Sequence, residues 1–337
     1  MNNVNKSDSP GIVIIGAGAV GSLLGGLLAR NGHNVLLIGR SDHVAAINGN
    51  GLRIDGVSGP MTIPVKAATS LKCRPDTVFL SVKSQDVESV CREIAPFVRN
   101  VPVCTLQNGL RCDTIAGRIL GEHTVIGGVV LFNARYRHPG HVTWGSRGSL
   151  IIGKISGKND DRVATMHALL DGIIPATLSD NIAGVRRTKL LVNILGNSMD
   201  ALTGEPLNRC MKSPDTRKIA ASILKEALAV LEKTGAGLEP LPGVPLGRFK
   251  AIIKSPLPIA SRLLGQISKN ITTTSSTLQS LQRRKPTEID FLNGEIVRLG
   301  ETVRIATPFN ARVVECIRTV ERTGRFYTSP ELKRMFR

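Results

Sequence analysis

Aromatic residues are scarce in this chain, at 3% of 337 residues. No apolar run approaches the roughly 20 residues that a membrane-spanning helix needs, so we expect no membrane partner. The six cysteines show no metal-ligand spacing such as C-x-x-C, which predicts reduced thiols and no metal site. The first ten residues, MNNVNKSDSP, lack the apolar segment of a secretory signal. We interpret residues 1–10 as a disordered leader and expect a cytoplasmic protein.

Acidic residues are also few, at 26 against 44 lysines and arginines, which gives a net charge of +18. Residues 123–159 and 240–287 contain no aspartate or glutamate at all. Such a charge attracts anions, for example a phosphorylated cofactor or a carboxylate substrate. A solvated basic surface is the simplest explanation of the total charge. Because aromatic platforms for stacked bases are missing, we expect no specific nucleic-acid partner.

Residues 11–40 contain a complete βαβ pattern. The apolar run IVII is followed by glycines in the spacing G-x-G-x-x-G, then by a helical segment rich in Leu and Ala, and then by the apolar run VLLI. A glycine-rich turn between a strand and a helix is suited to the pyrophosphate of a dinucleotide. The pattern therefore predicts a dinucleotide-binding fold with these cofactor-contacting residues: Gly16, Ala17, Gly18, Ala19, Val20 and Gly21.

Arg40 follows the second apolar run, at the place where a carboxylate would bind the ribose 2′-hydroxyl of NAD. An arginine there suits a 2′-phosphate instead, by its charge and its forked donors. This favours NADPH/NADP+ as the cofactor. The alternative is that Arg40 is an exposed loop cation and that Asp42 caps the next helix.

The periodicity of the chain changes near residue 182. Strand patterns continue to Ser179, and helical spacing dominates afterwards. We predict an α/β protein, with a Rossmann-type NADP-binding domain over residues 11–179 and an all-α domain for substrate and catalysis over residues 180–337. Within the first domain, the alternation over residues 139–153 predicts an antiparallel hairpin. We expect the active site in the cleft between the domains, and the apolar C-terminal helices are compatible with a homodimer.

Lys189, Asn193 and Asn197 punctuate an otherwise apolar helical segment at four-residue intervals. Residues four apart on a helix lie on nearly the same face, so the three side chains form one polar stripe. Partial burial would lower the pKa of the lysine toward neutrality, and the lysine could then donate a proton to a developing alkoxide. The alternative is a boundary helix whose polar side lies in water.

A second polar cluster combines the hydroxyl run of residues 274–277 with Glu288. We predict that Pro286 or Thr287 begins a helix, which puts Glu288 in the first turn. Glu288 is then either a helix-start acid or a partner of Lys189. The hydroxyl run could donate to a carboxylate or form a plain linker.

Short motifs stand in a specific order along the chain: GAGAVGSLLGGLLARNGHNV, VKSQDV, LQNGL, PGHVTWG, IIG, KLLVNILGNSMDALTG, SSTLQ, KPTEIDFLNG and TPFN. By these motifs the chain resembles the ketopantoate reductase family from its first strand to about residue 318. The resemblance implies reduction of the ketone of 2-dehydropantoate, a small anionic 2-oxo acid, to (R)-pantoate by NADPH. This reaction is a step toward pantothenate and coenzyme A.

The resemblance also implies roles for individual residues. Lys189 would be the general acid, and Glu288 would orient or tune it. The implied substrate contacts are Asn193, Asn197, Asn108 and Ser276, with Ser276 at the substrate carboxylate. The implied cofactor contacts beyond the glycine turn are Arg40 at the 2′-phosphate, Lys83, Gln85 and Asn108.

Three residues depart from the family pattern. Arg187, Thr277 and Ser280 stand where many relatives have an aromatic residue, a methionine and an acid. These departures leave open which 2-oxo acid is the substrate. A reductase of a different 2-oxo acid and a non-catalytic NADP(H)-binding sensor with the same fold are the alternatives.

Overall fold

The computed structural model describes residues 10–235 and 237–336. The predicted leader lies outside this range except for Pro10, which is buried. The chain divides into two compact units. The first runs to Gln107 and continues over Arg111–Ile182, and the second combines Asn108–Leu110 with the chain from Ala183 onward. The domain limits predicted from the sequence stay a prediction.

The first unit is built on two β-sheets. Its strands, within the described residues, are β1 (Ile12–Ile15), β2 (Val35–Ile38), β3 (Leu52–Gly56), β4 (Met61–Ile63), β5 (Lys66–Ala68), β6 (Thr77–Leu80), β7 (Val103–Thr105), β8 (Val125–Val130), β9 (Asn133–His138), β10 (His141–Ser146), β11 (Leu150–Lys154) and β12 (Ala176–Leu178). Eight form a sheet in the order β12-β11-β8-β7-β6-β1-β2-β5, and the other four are ordered β4-β3-β10-β9. Neighbouring strands of the larger sheet are parallel except β8 and β11.

The α-helices of the first unit follow strands of this sheet. They are α1 (Ala19–Arg30), α2 (Ser41–Asn50), α3 (Val87–Ile94), α4 (Cys112–Leu120) and α5 (Asp161–Leu170). All four residues of β1 are buried, as expected for a parallel strand covered on both faces. The Leu-rich face of α1 packs into the same apolar core as β1 and β2. The Rossmann-type fold predicted from the βαβ pattern is thereby confirmed.

The predicted hairpin over residues 139–153 is partly wrong. Strand β10 pairs antiparallel with the preceding strand β9, while β11 joins the larger sheet beside β8. The reason lies in burial. Residues Leu150–Ile152 are a continuous buried apolar run, which suits a sheet covered on both faces, whereas β10 ends in the exposed pair Gly145 and Ser146.

The second unit is helical, as predicted. Its α-helices, together with the one that leads into it, are α6 (Ile182–Thr203), α7 (Leu207–Cys210), α8 (Pro214–Lys233), α9 (Leu246–Lys254), α10 (Leu257–Ile267), α11 (Ser276–Gln282), α12 (Asn293–Val303), α13 (Pro308–Thr323) and α14 (Ser329–Met335). The described residues of this unit contain no strand, only an isolated bridge between Leu241 and Val244. Pro256 separates α9 from α10, because proline cannot continue a helix from within.

A buried chain of hydrogen bonds ties four helices of the second unit together. Ser198 on α6 donates to the side chain of Asn293 on α12 at 3.0 Å, and Asn293 donates to Asn310 on α13 at 2.9 Å. Asn310 in turn donates to Glu226 on α8 at 2.8 Å. Because Ser198, Asn293 and Asn310 are fully buried, each needs these partners. The chain therefore fixes the register of α6 against its neighbours.

Glu288 does not lie in the first turn of an α-helix, so that prediction is wrong. It precedes a 3₁₀ turn, Ile289–Phe291, and α12 begins only at Asn293. The N–H of Thr287 donates to Glu321 at 2.7 Å instead of entering a helix, and the Thr287 hydroxyl accepts from the N–H of Ile289 at 3.3 Å. This local turn competes with helix formation. Glu288 therefore lacks the helix-start role that was its alternative explanation.

Within residues 10–235 and 237–336, no helix combines the length and apolar character that crossing a membrane requires.

Candidate active site

The turn after β1 requires glycine at its first and last positions. Gly16 has a φ of 98°, and a Cβ there would lie 2.5 Å from the N atom of Val82. A Cβ at Gly21 would lie 2.3 Å from the carbonyl oxygen of Gly16. Real Cβ atoms do not approach backbone atoms so closely, so both positions exclude larger residues. These glycines pack α1 directly against the end of the strand.

Gly18 differs from the other two glycines of the turn. It is the exposed N-cap of α1, and a Cβ there would have no protein atom within 4 Å. Contacts within the protein therefore do not require glycine at this position. Close approach of a ligand to the backbone would require it. Beside it, the first-turn N–H groups of α1 (Ala19, Val20 and Gly21) have no partner four residues earlier in the helix. An exposed surface with such donors fits a pyrophosphate.

The ends of β1, β2 and β6 lie at one edge of the larger sheet, because these neighbouring strands are parallel. Arg40 follows β2, where it is exposed and serves as the N-cap position of α2. A Cβ at the preceding Gly39 would lie 3.0 Å from the Cβ of Ala17, so this segment is packed against the glycine turn. Lys83 and the exposed Gln85 follow β6. The structure therefore brings the predicted cofactor residues of the first unit to one edge.

In the second unit, the polar face of α6 is partly buried. Lys189 and Asn193 are half-buried, Asn197 is 5% exposed, and their apolar neighbours are packed into the core. The helix is one uninterrupted element from Ile182 to Thr203, so the four-residue spacing holds throughout. The alternative of a polar side simply lying in water is thereby contradicted for Asn197. We call Lys189, Asn193 and Asn197 the polar face of α6.

The ammonium group of Lys189 lies in an environment that weakens its protonation. Burial, together with the charge of Arg186, lowers the pKa of Lys189 to about 7, while the charge of Glu288 opposes both. Arg186 and Glu288 are themselves buried, at 4% and 8% exposure. A lysine with a pKa near 7 can hold and release a proton under physiological conditions. Glu288 is therefore an electrostatic neighbour of Lys189.

Asn108 belongs to the second unit, although it follows β7 in the chain. Asn193 donates to the side-chain oxygen of Asn108 at 3.2 Å. The next residue, Gly109, has a φ of 86°, and a Cβ there would lie 2.5 Å from the carbonyl oxygen of Phe291. The segment is thus packed against the 3₁₀ turn that follows Glu288. Asn108, Asn193, Lys189 and Glu288 form one cluster.

Ser276 is the first residue of α11 and is exposed. Its neighbour Ser275 contacts α6: the Ser275 N–H and hydroxyl both donate to Asp200, at 2.6 and 2.7 Å. The Ser275 hydroxyl oxygen also accepts from the N–H of Leu278 at 3.2 Å and so caps α11. Ser276 is therefore held in place through Ser275.

Two charged residues, Arg186 and Asp200, were not predicted from the sequence. Arg187, which departs from the family pattern, lies two residues before Lys189 and hence about 200° away around the helix. Arg186 lies three residues before Lys189 and Asp200 three residues after Asn197, and three-residue steps stay on one face. That spacing was the available signal. The Nη1 atom of Arg187 is buried and has no hydrogen-bond partner among the described residues.

A glycine turn at the carboxyl edge of a parallel sheet, together with a half-buried lysine beside a carboxylate and two amides, defines a dinucleotide-dependent oxidoreductase. The chain belongs to the ketopantoate reductase family. The model described as "Ketopantoate reductase PanE/ApbA" matches residues 12–157, and "Ketopantoate reductase PanE/ApbA C terminal" matches residues 181–321. The resemblance stated from the motifs is thus confirmed.

Individual relatives agree along nearly the whole chain. The chain is 32% identical over 316 residues to the 2-dehydropantoate 2-reductase of Pyrococcus horikoshii. The aligned region covers 93% of this chain and 98% of that protein. A crystal structure of a PanE/ApbA family ketopantoate reductase from Ralstonia eutropha is 31% identical, with a TM-score of 0.78, covering 92% of this chain and 98% of that one. D-mandelate dehydrogenase with NADH and anilino(oxo)acetate has a TM-score of 0.79 at 23% identity, covering 93% and 99%. This last likeness concerns the fold alone.

Proposed function

We propose that this protein is a 2-dehydropantoate 2-reductase, which reduces the ketone of 2-dehydropantoate to (R)-pantoate with NADPH, a step toward pantothenate and coenzyme A. The observation that carries the proposal is Lys189 on the polar face of α6, whose pKa is lowered to about 7, mainly by burial. Membership of the ketopantoate reductase family supports the choice of substrate.

The first unit would hold the cofactor. The turn from Gly16 to Gly21 would take the pyrophosphate, because Gly18 leaves its backbone open and the N-terminus of α1 attracts anions. Arg40 would pair with the 2′-phosphate, and Lys83 and Gln85 would contact the cofactor at the neighbouring strand end. When bound, the nicotinamide supplies the hydride for the carbonyl carbon.

Lys189 would hold the proton that the reaction needs at oxygen. Addition of hydride to the ketone carbon leaves negative charge on the oxygen, and proton donation from the Lys189 Nζ turns this oxygen into the hydroxyl of the product. An ordinary lysine, with a pKa of 10.5, would release the proton less readily at neutral pH. Burial and Arg186 lower the pKa, and Glu288 keeps it from falling further. The two charges would therefore set the acid strength of the donor.

The amides would orient the substrate. Asn193 and Asn108 are already joined by a hydrogen bond, so their remaining donors and acceptors have fixed directions. Asn197 extends the same face by one turn of α6. Ser276 would donate its hydroxyl to the substrate carboxylate. The basic surface of the chain would raise the local concentration of this anion.

Loss of NADPH absorbance on addition of 2-dehydropantoate tests the proposal. We expect turnover with 2-dehydropantoate and much less with 2-oxoisovalerate, which lacks the hydroxymethyl group. Comparable turnover with both acids would favour the reductase of a different 2-oxo acid. NADPH binding without turnover of any 2-oxo acid would contradict the enzyme and favour the sensor. Light scattering of the same sample tests the predicted homodimer.

A further inference from the structure

Asp200 is a buried carboxylate that the proposed mechanism does not use. It is 1% exposed and lies on α6, three residues after Asn197. From Lys189 to Asp200 the helix advances eleven residues, or about 16 Å. The steps of four, four and three residues keep all four polar side chains on one face. Asp200 therefore ends the polar face of α6 at the opposite end from Lys189.

Both oxygens of this carboxylate accept a hydrogen bond from Ser275. The Ser275 N–H donates to Oδ2 at 2.6 Å, and the Ser275 hydroxyl donates to Oδ1 at 2.7 Å. The hydroxyl oxygen then accepts from the N–H of Leu278 at 3.2 Å. Since a serine hydroxyl has one proton, its direction is fixed by these partners. Asp200 thereby determines where α11 begins.

Burying the Asp200 carboxylate costs folding free energy. Burial raises the pKa of Asp200 to about 7, and the Ser275 donors only partly offset this. An apolar side chain would fill the position without burying a charge, but it could not bind the two donors of Ser275. The contact holds Ser275 in place, and the next residue, Ser276, is exposed at the start of α11.

We propose that Asp200 is a positioning residue for the substrate: by binding both donors of Ser275, it fixes the position from which Ser276 donates to the carboxylate of the 2-oxo acid. This inference rests on the proposed function. Asp200 contributes to affinity for the substrate and leaves the proton donor untouched.

The test is the substitution Asp200→Asn, which keeps the shape but replaces one acceptor by a donor. We expect the KM for 2-dehydropantoate to rise by about tenfold or more with kcat within about threefold, the pattern of a lost binding contact. The KM for NADPH should not change. Ser275→Ala should act in the same direction, and the double variant should be less than additive because the two residues share one contact. Ser275→Thr, which keeps both donors, should retain the KM of the unsubstituted protein.

Glu331→Gln is the matched control. Glu331 also accepts from the N–H and the hydroxyl of a single residue, Thr328, both at 2.9 Å, at the start of α14. It should lower the melting temperature without changing the KM for 2-dehydropantoate. If Asp200→Asn behaves like this control, with lower thermal stability but unchanged KM, Asp200 is only structural and the proposal is overturned.

Hydrogen exchange separates failure of this inference from failure of the proposed function. We expect Asp200→Asn to accelerate amide exchange in residues 272–282 and not in α13. If the unsubstituted protein binds NADPH but reduces no 2-oxo acid, the proposed function falls and the substrate role of Asp200 falls with it. Accelerated exchange would then support only the contact with Ser275, and unchanged exchange would overturn that contact as well.

Discussion

The glycine turn of the first unit and the polar face of α6 in the second unit are proposed to recognise their ligands in different ways. The turn works through backbone: Gly16 and Gly21 are required by contacts of 2.5 and 2.3 Å, and Gly18 leaves the backbone open. The polar face works through side chains, and its chemistry depends on burial and on neighbouring charges. Substitutions in the turn should therefore change binding and stability, whereas substitutions on α6 should change rate and pH dependence.

The largest effect should come from Lys189→Ala. Loss of a general acid lowers kcat by about 10²- to 10⁴-fold, and we expect this loss in steady-state reduction of 2-dehydropantoate. NADPH binding, measured by fluorescence titration, should be unchanged. Lys225→Ala is the control, since Lys225 donates to the carbonyl of Ser255 on the same unit. Equal kcat in the Lys189 variant and this control would remove Lys189 from the mechanism.

Arg40→Ala should act on binding alone. Charged hydrogen bonds to a phosphate are strong, so we expect the Kd for NADPH to rise about 10- to 100-fold while the Kd for NADH stays the same. Titration of both cofactors measures the ratio. Arg53→Ala removes another exposed arginine of the first unit and should leave both values unchanged. A parallel loss for NADPH and NADH would show that Arg40 does not recognise the 2′-phosphate.

Two alanine substitutions should separate the roles of the glycines. Gly18→Ala adds a methyl group in open space, so the melting temperature should hold while the Kd for NADPH rises about tenfold from the blocked approach to the backbone. Gly21→Ala pushes a Cβ against the Gly16 carbonyl and should cost about 1–3 kcal/mol of stability. Thermal melting with and without NADPH measures both. If the two variants melt alike without cofactor, the distinction is wrong.

The smallest effect should be a shift of the pH profile. A donor with a pKa of about 7 is protonated below that pH, so kcat for the reduction should be level there and fall as pH rises above 7. Arg186→Gln removes a charge that lowers this pKa and should move the falling limb to higher pH. Glu288→Gln removes the opposing charge and should move it to lower pH.

Arg187→Gln is the control for this pair, because Arg187 lies on another side of α6. Its profile should match that of the unsubstituted protein. Shifts in the same direction for Arg186→Gln and Glu288→Gln would contradict the electrostatic account of Lys189.

Most of the fold could be predicted from the sequence because it follows from local patterns. The IVII and VLLI runs, the glycine spacing and the change to helical period near residue 182 each specify an element within a short window. The errors arose where distant residues decide. Glu321 takes the N–H of Thr287 and so displaces Glu288 from a helix, and Leu150–Ile152 pairs with β8 rather than with the strand next to it.

The candidate active site shows the same difference between local patterns and contacts between distant residues. Lys189, Asn193 and Asn197 were visible because one helical period places them together. The charge of Arg186 and the contact between Asp200 and Ser275 were missed, since 75 residues separate the partners of that contact in the chain. Pairing over such a separation leaves no mark on local periodicity. The three-residue spacing would have placed Arg186 and Asp200 on the polar face of α6, but it does not predict their partners.

Asn108–Leu110 has a consequence for any attempt to divide the molecule. The chain leaves the first unit after Gln107, lends these three residues to the second unit and returns at Arg111. A fragment that begins near residue 180 would therefore lack the acceptor for Asn193 and the glycine that packs against Phe291. Part of the second unit is therefore formed by a loop that lies about 70 residues earlier in the chain. We expect such a fragment to need a separately expressed N-terminal half, which supplies Asn108–Leu110, in order to recover its fold.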